Sequence, residues 1–339
     1  MFQSTYGVKN DHLDFAIDMQ LLPERLRGFR QKYLVTWDIE ALETIPDGDI
    51  QHVEAYQNIC SVAVASNINA DVKYFERESS DPTAAYKLVE SFINHLFELE
   101  NAYQELIPPE IAAAVSKLDE IITSHHFSKK QTREKALRTY LKQMYTLPCY
   151  AFNSGRYDLP CIIGLIYNYS KLHDCKMKTI KKGTSYMALT LTKTVGDRKA
   201  VITFRDVLNY TAPCSLSKYL KQWGSPLAKS IFPYSKYQSM EEMGQDKDFP
   251  SYDCFYSDLT QSNVPVEEYE SSKAEFYRRK NLENDHPDKI HSMRDWLKYY
   301  NCLDVQPLVT AVNTSFEKFF MYFKIDPNMH LSLPTLAFK

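Results

Sequence analysis

The chain has 339 residues, 24% of them charged and 44% hydrophobic, with a formal net charge of −3. At ~150 residues per domain that length supports a sizeable core and about two structural units, and the near-neutral charge lacks the basic excess usual in nucleic-acid binders. None of its nine glycines sits in a G-x-x-x-x-G-K run, which excludes a P-loop nucleotide-triphosphate motor.

Seven cysteines, Cys60, Cys149, Cys161, Cys175, Cys214, Cys254 and Cys302, are scattered with no C-x-x-C pair. Free thiols in an intracellular, reducing compartment are expected, whether nuclear, cytoplasmic, virus-associated or organellar. Asp11, Asp14 and Asp18 interrupt the first apolar stretch, so no secretory leader is expected. No run approaches the ~18 apolar residues of a membrane span, and no membrane partner is expected.

Residues 1–30 read as a polar leader and a short amphipathic helix through Phe15, Ile17, Met19 and Leu22, ending near Gly28. Next comes Val35-Thr36-Trp37-Asp38-Ile39-Glu40, a strand that places Tyr33, Val35, Trp37 and Ile39 on one face and Leu34, Thr36, Asp38 and Glu40 on the other. Pro46-Asp47-Gly48 signals a turn, and Ile59 to Ala65 and Val72 to Phe75 complete an antiparallel meander. From about Asp81 to Tyr145 the spacing turns helical: Leu88, Phe92, Leu96 and Leu99 mark one helix, Pro108-Pro109 opens a second, and Ala136, Leu137, Tyr140, Leu141 and Met144 mark a third.

Leu147 to Phe152 returns to strand character and leads into Asn153-Ser154-Gly155-Arg156-Tyr157-Asp158, where Asp158 opens a helix through Ile162, Ile163, Leu165 and Ile166. Ser185 to Leu191 and Ala200 to Phe204 form a hairpin across Val195-Gly196-Asp197. A short helix from Ser215 to Trp223 precedes an irregular, polar tract. Helices follow from Glu267 to Arg279 and from Met293 to Phe323, the latter kinked at Pro307 or given a new first turn there. His125-His126 has no ligand partner at usable spacing, so it reads as surface or capping. The basic cluster Lys129/Lys130/Arg133/Lys135 reads as a solvated helix face or loop, Lys176/Lys178/Lys181/Lys182 either as that or as a local basic patch, and most of the 24 tyrosines and 18 phenylalanines as packing.

The chemistry lies in the acids. Asp38 and Glu40 share a strand face with alpha carbons about 7 Å apart, and at ~6 Å and an effective dielectric near 20 their charges repel by roughly 3 kcal/mol. A cation between them removes that cost. Asp158 stands at a helix start, and Tyr300 and Asp304, four apart, share a helix face. An oxygen-only shell of this kind suits Mg²⁺ or Mn²⁺ rather than zinc. Two such ions ~3.5–4 Å apart serve phosphodiester hydrolysis by activating water and neutralising charge.

The order D-x-E, N-x-x-x-Y-D, Y-x-x-x-D resembles the three exonuclease motifs of the DEDDy family, as found in the proofreading region of family B DNA polymerases. Ser215-Leu216-Ser217-Lys218-Tyr219 and Lys229-Ser230-Ile231-Phe232 are similar to motifs of the protein-primed branch, that of adenoviruses, Maverick/Polinton elements, linear plasmids and related phages. The tail Leu331-Ser332-Leu333-Pro334 looks like the stretch entering the polymerase palm.

The resemblance implies a ribonuclease H-like α/β fold, a mixed sheet flanked by helices with a helical insertion near 81–145. Residues 1–30 would form a leader helix, 31–205 the exonuclease core, and 206–339 a mostly helical remainder carrying the third motif. It implies that Asp38, Glu40, Asp158 and Asp304 bind two Mg²⁺ or Mn²⁺ ions, that Tyr300 positions water and that Lys229 assists catalysis. Asn153, Tyr157, Ser215 and Leu216 would contact the 3′ end of single-stranded DNA. A polymerase domain and a terminal protein are the further partners it suggests.

Ala41 stands where a DNA-contacting threonine often follows the D-x-E pair, and the helical block between the first two motifs is long for this branch. The motifs D-x-x-S-L-Y-P, K-x-x-x-N-S-x-Y-G and Y-x-D-T-D are absent, so polymerisation is expected to lie outside this sequence. The rivals are a catalytically silent remnant that binds nucleic acid or a partner, and an RNA-trimming DEDD nuclease.

Overall fold

Trp37 is fully buried between Phe92 and Phe204, whose ring centroids stand 5.7 and 5.3 Å away. It belongs to β1 (Val35–Thr44), whose two faces are both covered. The computed structural model describes residues 11–44, 56–124, 131–224, 230–257 and 261–334. The turn expected at Pro46-Asp47-Gly48, the His125-His126 pair, Lys129, Lys130 and Lys229 lie outside these residues.

After α1 (Asp11–Asp18) and β1 come β2 (Tyr56–Ser66) and β3 (Lys73–Glu76), paired antiparallel as the meander predicts. The helical insertion follows as α2 (Pro82–Gln104), α3 (Pro109–Ser124) and α4 (Gln131–Gln143). Asp81 caps α2 through the Thr83 N–H, with Pro82 in the first turn where its missing donor costs nothing. The chain then forms β4 (Thr146–Ala151), α5 (Asp158–Leu172), β5 (Lys176–Lys182), β6 (Ser185–Val195) and β7 (Arg198–Asp206). Strand order is β3-β2-β1-β4-β7-β6-β5, with β1, β4 and β7 parallel and the outer strands antiparallel. This is the mixed sheet expected from the sequence, flanked by helices.

Beyond the sheet lie α6 (Leu216–Trp223), α7 (Met240–Gln245), the two-residue strands β8 (Tyr256–Ser257) and β9 (Ser262–Asn263), α8 (Val266–Lys280) and α9 (Met293–Phe323). On the Trp37 face, Phe92, Ile93 and Leu96 of α2 and Ile162 and Ile166 of α5 close the core. On the other face α9 lays Val305, Leu308, Val312 and Phe316 over Leu34, Ala63, Ala65 and Tyr150. The two alanines leave room for the helix to approach the strands. Helix α9 runs unbroken through Pro307, because the flanking residues Val305, Leu308 and Val309 are buried and hold it in place.

Two expectations are corrected. The first helix stops at Asp18, and Met19 is exposed; Gln20 takes a left-handed φ of 58°, and the chain turns back to bury Leu22 and Leu26 before Gly28. The cluster Lys176/Lys178/Lys181/Lys182 is neither helix nor loop but the edge strand β5, where charged side chains discourage pairing with another sheet.

Glu100, with a side chain 0% exposed, is held by Arg198 Nη1 at 2.9 Å to both carboxylate oxygens. Arg198→Ala is expected to destabilise the fold by about 2 kcal/mol in urea unfolding. This is below the usual cost of breaking a buried pair because the Arg198 side chain is itself 35% exposed.

Candidate metal centre

Strands β1 and β4 pair only at Val35↔Cys149 and Thr36↔Tyr150. Past Thr36 they part, and Asp38 is the next residue on that face of β1. Asp38 and Glu40 from β1, Asp158 at the start of the helix after β4, and Asp206 at the end of β7 all gather beyond the carboxyl ends of the parallel strands, where open α/β sheets form their clefts. The β1–β2 register slips between Glu40 and Ala41, a bulge of the kind that re-aims side chains beside a site. Thr36 Oγ1 donates to the Val305 carbonyl at 2.7 Å and so fixes the height of α9 against β1. Asp304, one residue earlier, is thereby set opposite the strand acids. Asp38, Glu40 and Asp304 each offer an oxygen within 4.8 Å of the others.

Burial pushes the Glu40 carboxyl up to about 8, with the charges of Asp304 and Asp158 adding to it and the hydrogen bonds from Tyr234 and Asn301 opposing it. Burial is the larger cause, and the added repulsion from Asp304 and Asp158 is the part that a cation would relieve. Oxygen ligands bind hard cations at about 2.0–2.6 Å, so opposite ligands stand about 4–5 Å apart, and this set fits one such ion. The three carboxylates therefore suit Mg²⁺ or Mn²⁺ on both ligand type and spacing.

Asp158 does not join that tight set of three. It is 3% exposed, and burial first of all raises its pKa to about 7, with the charges of Asp206 and Asp304 adding; hydrogen bonds from its own backbone N–H and that of Ile39 oppose the rise. The Ile39 contact ties it to the peptide between Asp38 and Glu40. The loop before it is shaped by Asp206, which accepts from the N–H groups of Asn153 and Gly155, each at 3.0 Å. Asn153 takes a left-handed φ of 62°, tolerable for asparagine. A Cβ on Gly155 would stand 2.2 Å from the Tyr186 carbonyl oxygen and 3.1 Å from Asp206 Oδ2. Gly155→Ala is therefore expected to cost about 3 kcal/mol, the upper end of ordinary overpacking, read from its urea midpoint.

Tyr300 is 8% exposed and lies beside Phe232 and Tyr234, with ring centroids 6.1 and 6.2 Å away. Its hydroxyl is hydrogen-bonded to that of Tyr234, which donates to Glu40 Oε2. Burial holds both phenols well above their ordinary pKa, so both stay protonated. The segment carrying Tyr234 is pinned by Trp296 Nε1, which donates to the Ile231 carbonyl at 3.0 Å. Tyr300 is thus both a core residue and a member of the site.

Two side chains at the centre escaped the sequence reading. Asn301 is fully buried and donates to Asp38 Oδ2 at 3.0 Å and to Glu40 Oε1 at 3.3 Å. It lies three residues before Asp304, a helical spacing that would have found it. Tyr234 lies two residues beyond the motif Lys229-Ser230-Ile231-Phe232, in which only the lysine is expected to act in catalysis.

Tyr157, 43% exposed, donates to Gln57 Oε1 at 3.4 Å, and the charges of Glu40, Asp158 and Asp38 add to the burial that raises its pKa. It and the exposed Asn153 stand near the acids and reachable from solvent. Ser215 caps α6 by accepting from the Lys218 N–H, and Leu216 packs half-buried against the cluster formed by Leu34, Tyr150, Tyr219 and the α9 residues. Both have local structural roles on a helix that packs against α9.

The sequence profile of DNA polymerases of type B, organellar and viral, matches residues 138–339. The chain belongs to this family. The matched part takes in Asp158, Tyr300 and Asp304 and begins after β1. No curated protein matches. A solved structure of Phi29 DNA polymerase, complexed with primer-template DNA and incoming nucleotide substrates, is similar at a TM-score of 0.36 and 10% identity, over 85% of this chain and 32% of that one. The chain thus spans about a third of the length of that polymerase.

Proposed function

We propose that this chain is the metal-dependent 3′-to-5′ exonuclease, or proofreading, module of a protein-primed-type family B DNA polymerase, acting on single-stranded 3′ ends during DNA replication. The observation that carries the reading is the gathering of Asp38, Glu40 and Asp304 within 4.8 Å, with Tyr300 beside them, in a chain of a DNA polymerase family. Asp38, Glu40 and Asp304 would hold a divalent cation, and Asp158 would share a second with Asp38.

Bound there, Mg²⁺ or Mn²⁺ supplies an activated water and neutralises charge on the phosphate and leaving oxygen. The remaining work falls to side chains. Tyr300, kept protonated, orients the attacking water through its hydroxyl rather than serving as a base. Tyr157 and Asn153 meet the unpaired strand, Ser215 and Leu216 support its end, and Lys229 steadies the phosphate. The polymerase half, with which a terminal protein would associate, belongs to the partners this reading requires, and the free thiols suit an intracellular setting.

Release of mononucleotides from 3′-labelled single-stranded DNA in Mg²⁺ or Mn²⁺ tests the reading. Stepwise 3′ shortening that stops in EDTA supports it. Binding without cleavage by folded protein points to the silent remnant, and faster trimming of RNA than of DNA points to an RNA nuclease.

A further inference from the structure

We propose that Asn301 is a positioning residue of the carboxylate centre, oriented by Ser61, which presets Asp38 and Glu40 for a divalent cation without neutralising them. The proposal rests on the reading of these acids as a metal centre.

Asn301 is 0% exposed, and both its amide nitrogen and its amide oxygen are hydrogen-bonded. One side-chain nitrogen serves two carboxylates on the same strand face, Asp38 Oδ2 at 3.0 Å and Glu40 Oε1 at 3.3 Å. Its Oδ1 accepts from Ser61 Oγ at 3.4 Å, and Ser61 is the β2 residue directly across from Glu40. The reverse amide orientation would turn a carbonyl oxygen onto two carboxylates and waste the serine donor, so the network selects one orientation. A lysine or arginine in this place would also bind both acids, but its charge would compete with a cation. The neutral amide lowers the cost of holding the two acids together and leaves their charge in place. Each bonded carboxylate oxygen retains a further lone pair for a ligand bond.

An asparagine that merely fills the core would contribute stability and nothing to metal affinity. The two roles separate in a Mn²⁺ titration of the full chain, followed by the electron paramagnetic resonance signal of free Mn²⁺. Wild type, Asn301→Ala, Ser61→Ala and the double variant are compared, each first melted in EDTA to establish that it is folded.

Asn301→Ala is expected to weaken Mn²⁺ binding by about 10–100-fold, the usual effect of removing a group that orients metal ligands. Ser61→Ala should weaken it less, and the double variant no more than Asn301→Ala alone, since the serine acts through the amide. A folded Asn301→Ala that binds Mn²⁺ as tightly as wild type, with only its melting midpoint lowered, overturns the proposal. If Asn301→Ala does not fold, Ser61→Ala decides in its place, and unchanged affinity there overturns the proposal equally. Absence of saturable Mn²⁺ binding in wild type overturns the metal centre itself and this role with it.

Discussion

Glu40→Gln should slow the proposed nuclease by on the order of a thousandfold, equivalent to about 4 kcal/mol of transition-state stabilisation, while making the metal-free protein more stable at pH 8. The side chain is 5% exposed, and burial with the neighbouring charges of Asp304 and Asp158 holds its carboxyl near 8. Ionised and without a cation, it opposes folding. The amide has nearly the same shape and no charge, so it removes the repulsion and also removes the ligand. Part of the gain is offset, because Glu40 accepts from both Tyr234 and Asn301 and the amide offers only one accepting oxygen. Melting in EDTA at pH 8, paired with mononucleotide release in Mg²⁺, reads both effects. A variant that keeps the full rate removes Glu40 from the chemistry. Such opposition of stability and activity is what a charged cluster built for a ligand should show.

Between pH 6 and 9 the metal-free chain should lose stability and gain affinity for a divalent cation. Glu40 is raised to about 8 from an ordinary 4.5, and Asp158 to about 7 from 3.8, each first by burial. The folded state therefore keeps protons that the unfolded chain has already released. Stability from these two groups is fully present below about pH 4, and it is lost as pH rises through 7 and 8. Asp326, raised to about 6 by burial, acts in the same direction at lower pH.

Metal binding needs the ionised carboxylates, so it releases protons and strengthens as they titrate. The melting midpoint in EDTA is expected to fall from pH 6 to pH 8.5, by about 1–2 °C per kcal/mol lost. Mn²⁺ should restore it more at pH 8.5 than at pH 6. Glu40→Gln should flatten the EDTA slope. A midpoint that rises with pH in EDTA, equally in wild type and variant, would show that these acids are not the groups in control.

Much of this was written in local spacing. Alternation along residues 33–40 places Asp38 and Glu40 together, four-residue spacing places Tyr300 with Asp304, and Gly196-Asp197 closes the β6–β7 hairpin as expected. Each depends on neighbours in the chain, whose geometry a strand or a helix dictates. The edge strand β5 does not stand out in the sequence, because its lysines match any solvated segment and only its pairing with β6 distinguishes it.

The sequence by itself determined the alternation of strands and helices, which acids share a face, and the order of the three acidic motifs. The tertiary structure alone decided what surrounds them. Asn301 meets Asp38 across 263 positions of chain and Tyr234 meets Glu40 across 194, while Asp206 shapes the loop of Asn153 and Gly155 from a neighbouring strand. Contacts of that range have no period in the sequence. They arise when β1 parts from β4 and α9 is locked at one height by Thr36 and Val305, and that arrangement also turns separate acids into one centre with an elevated Glu40.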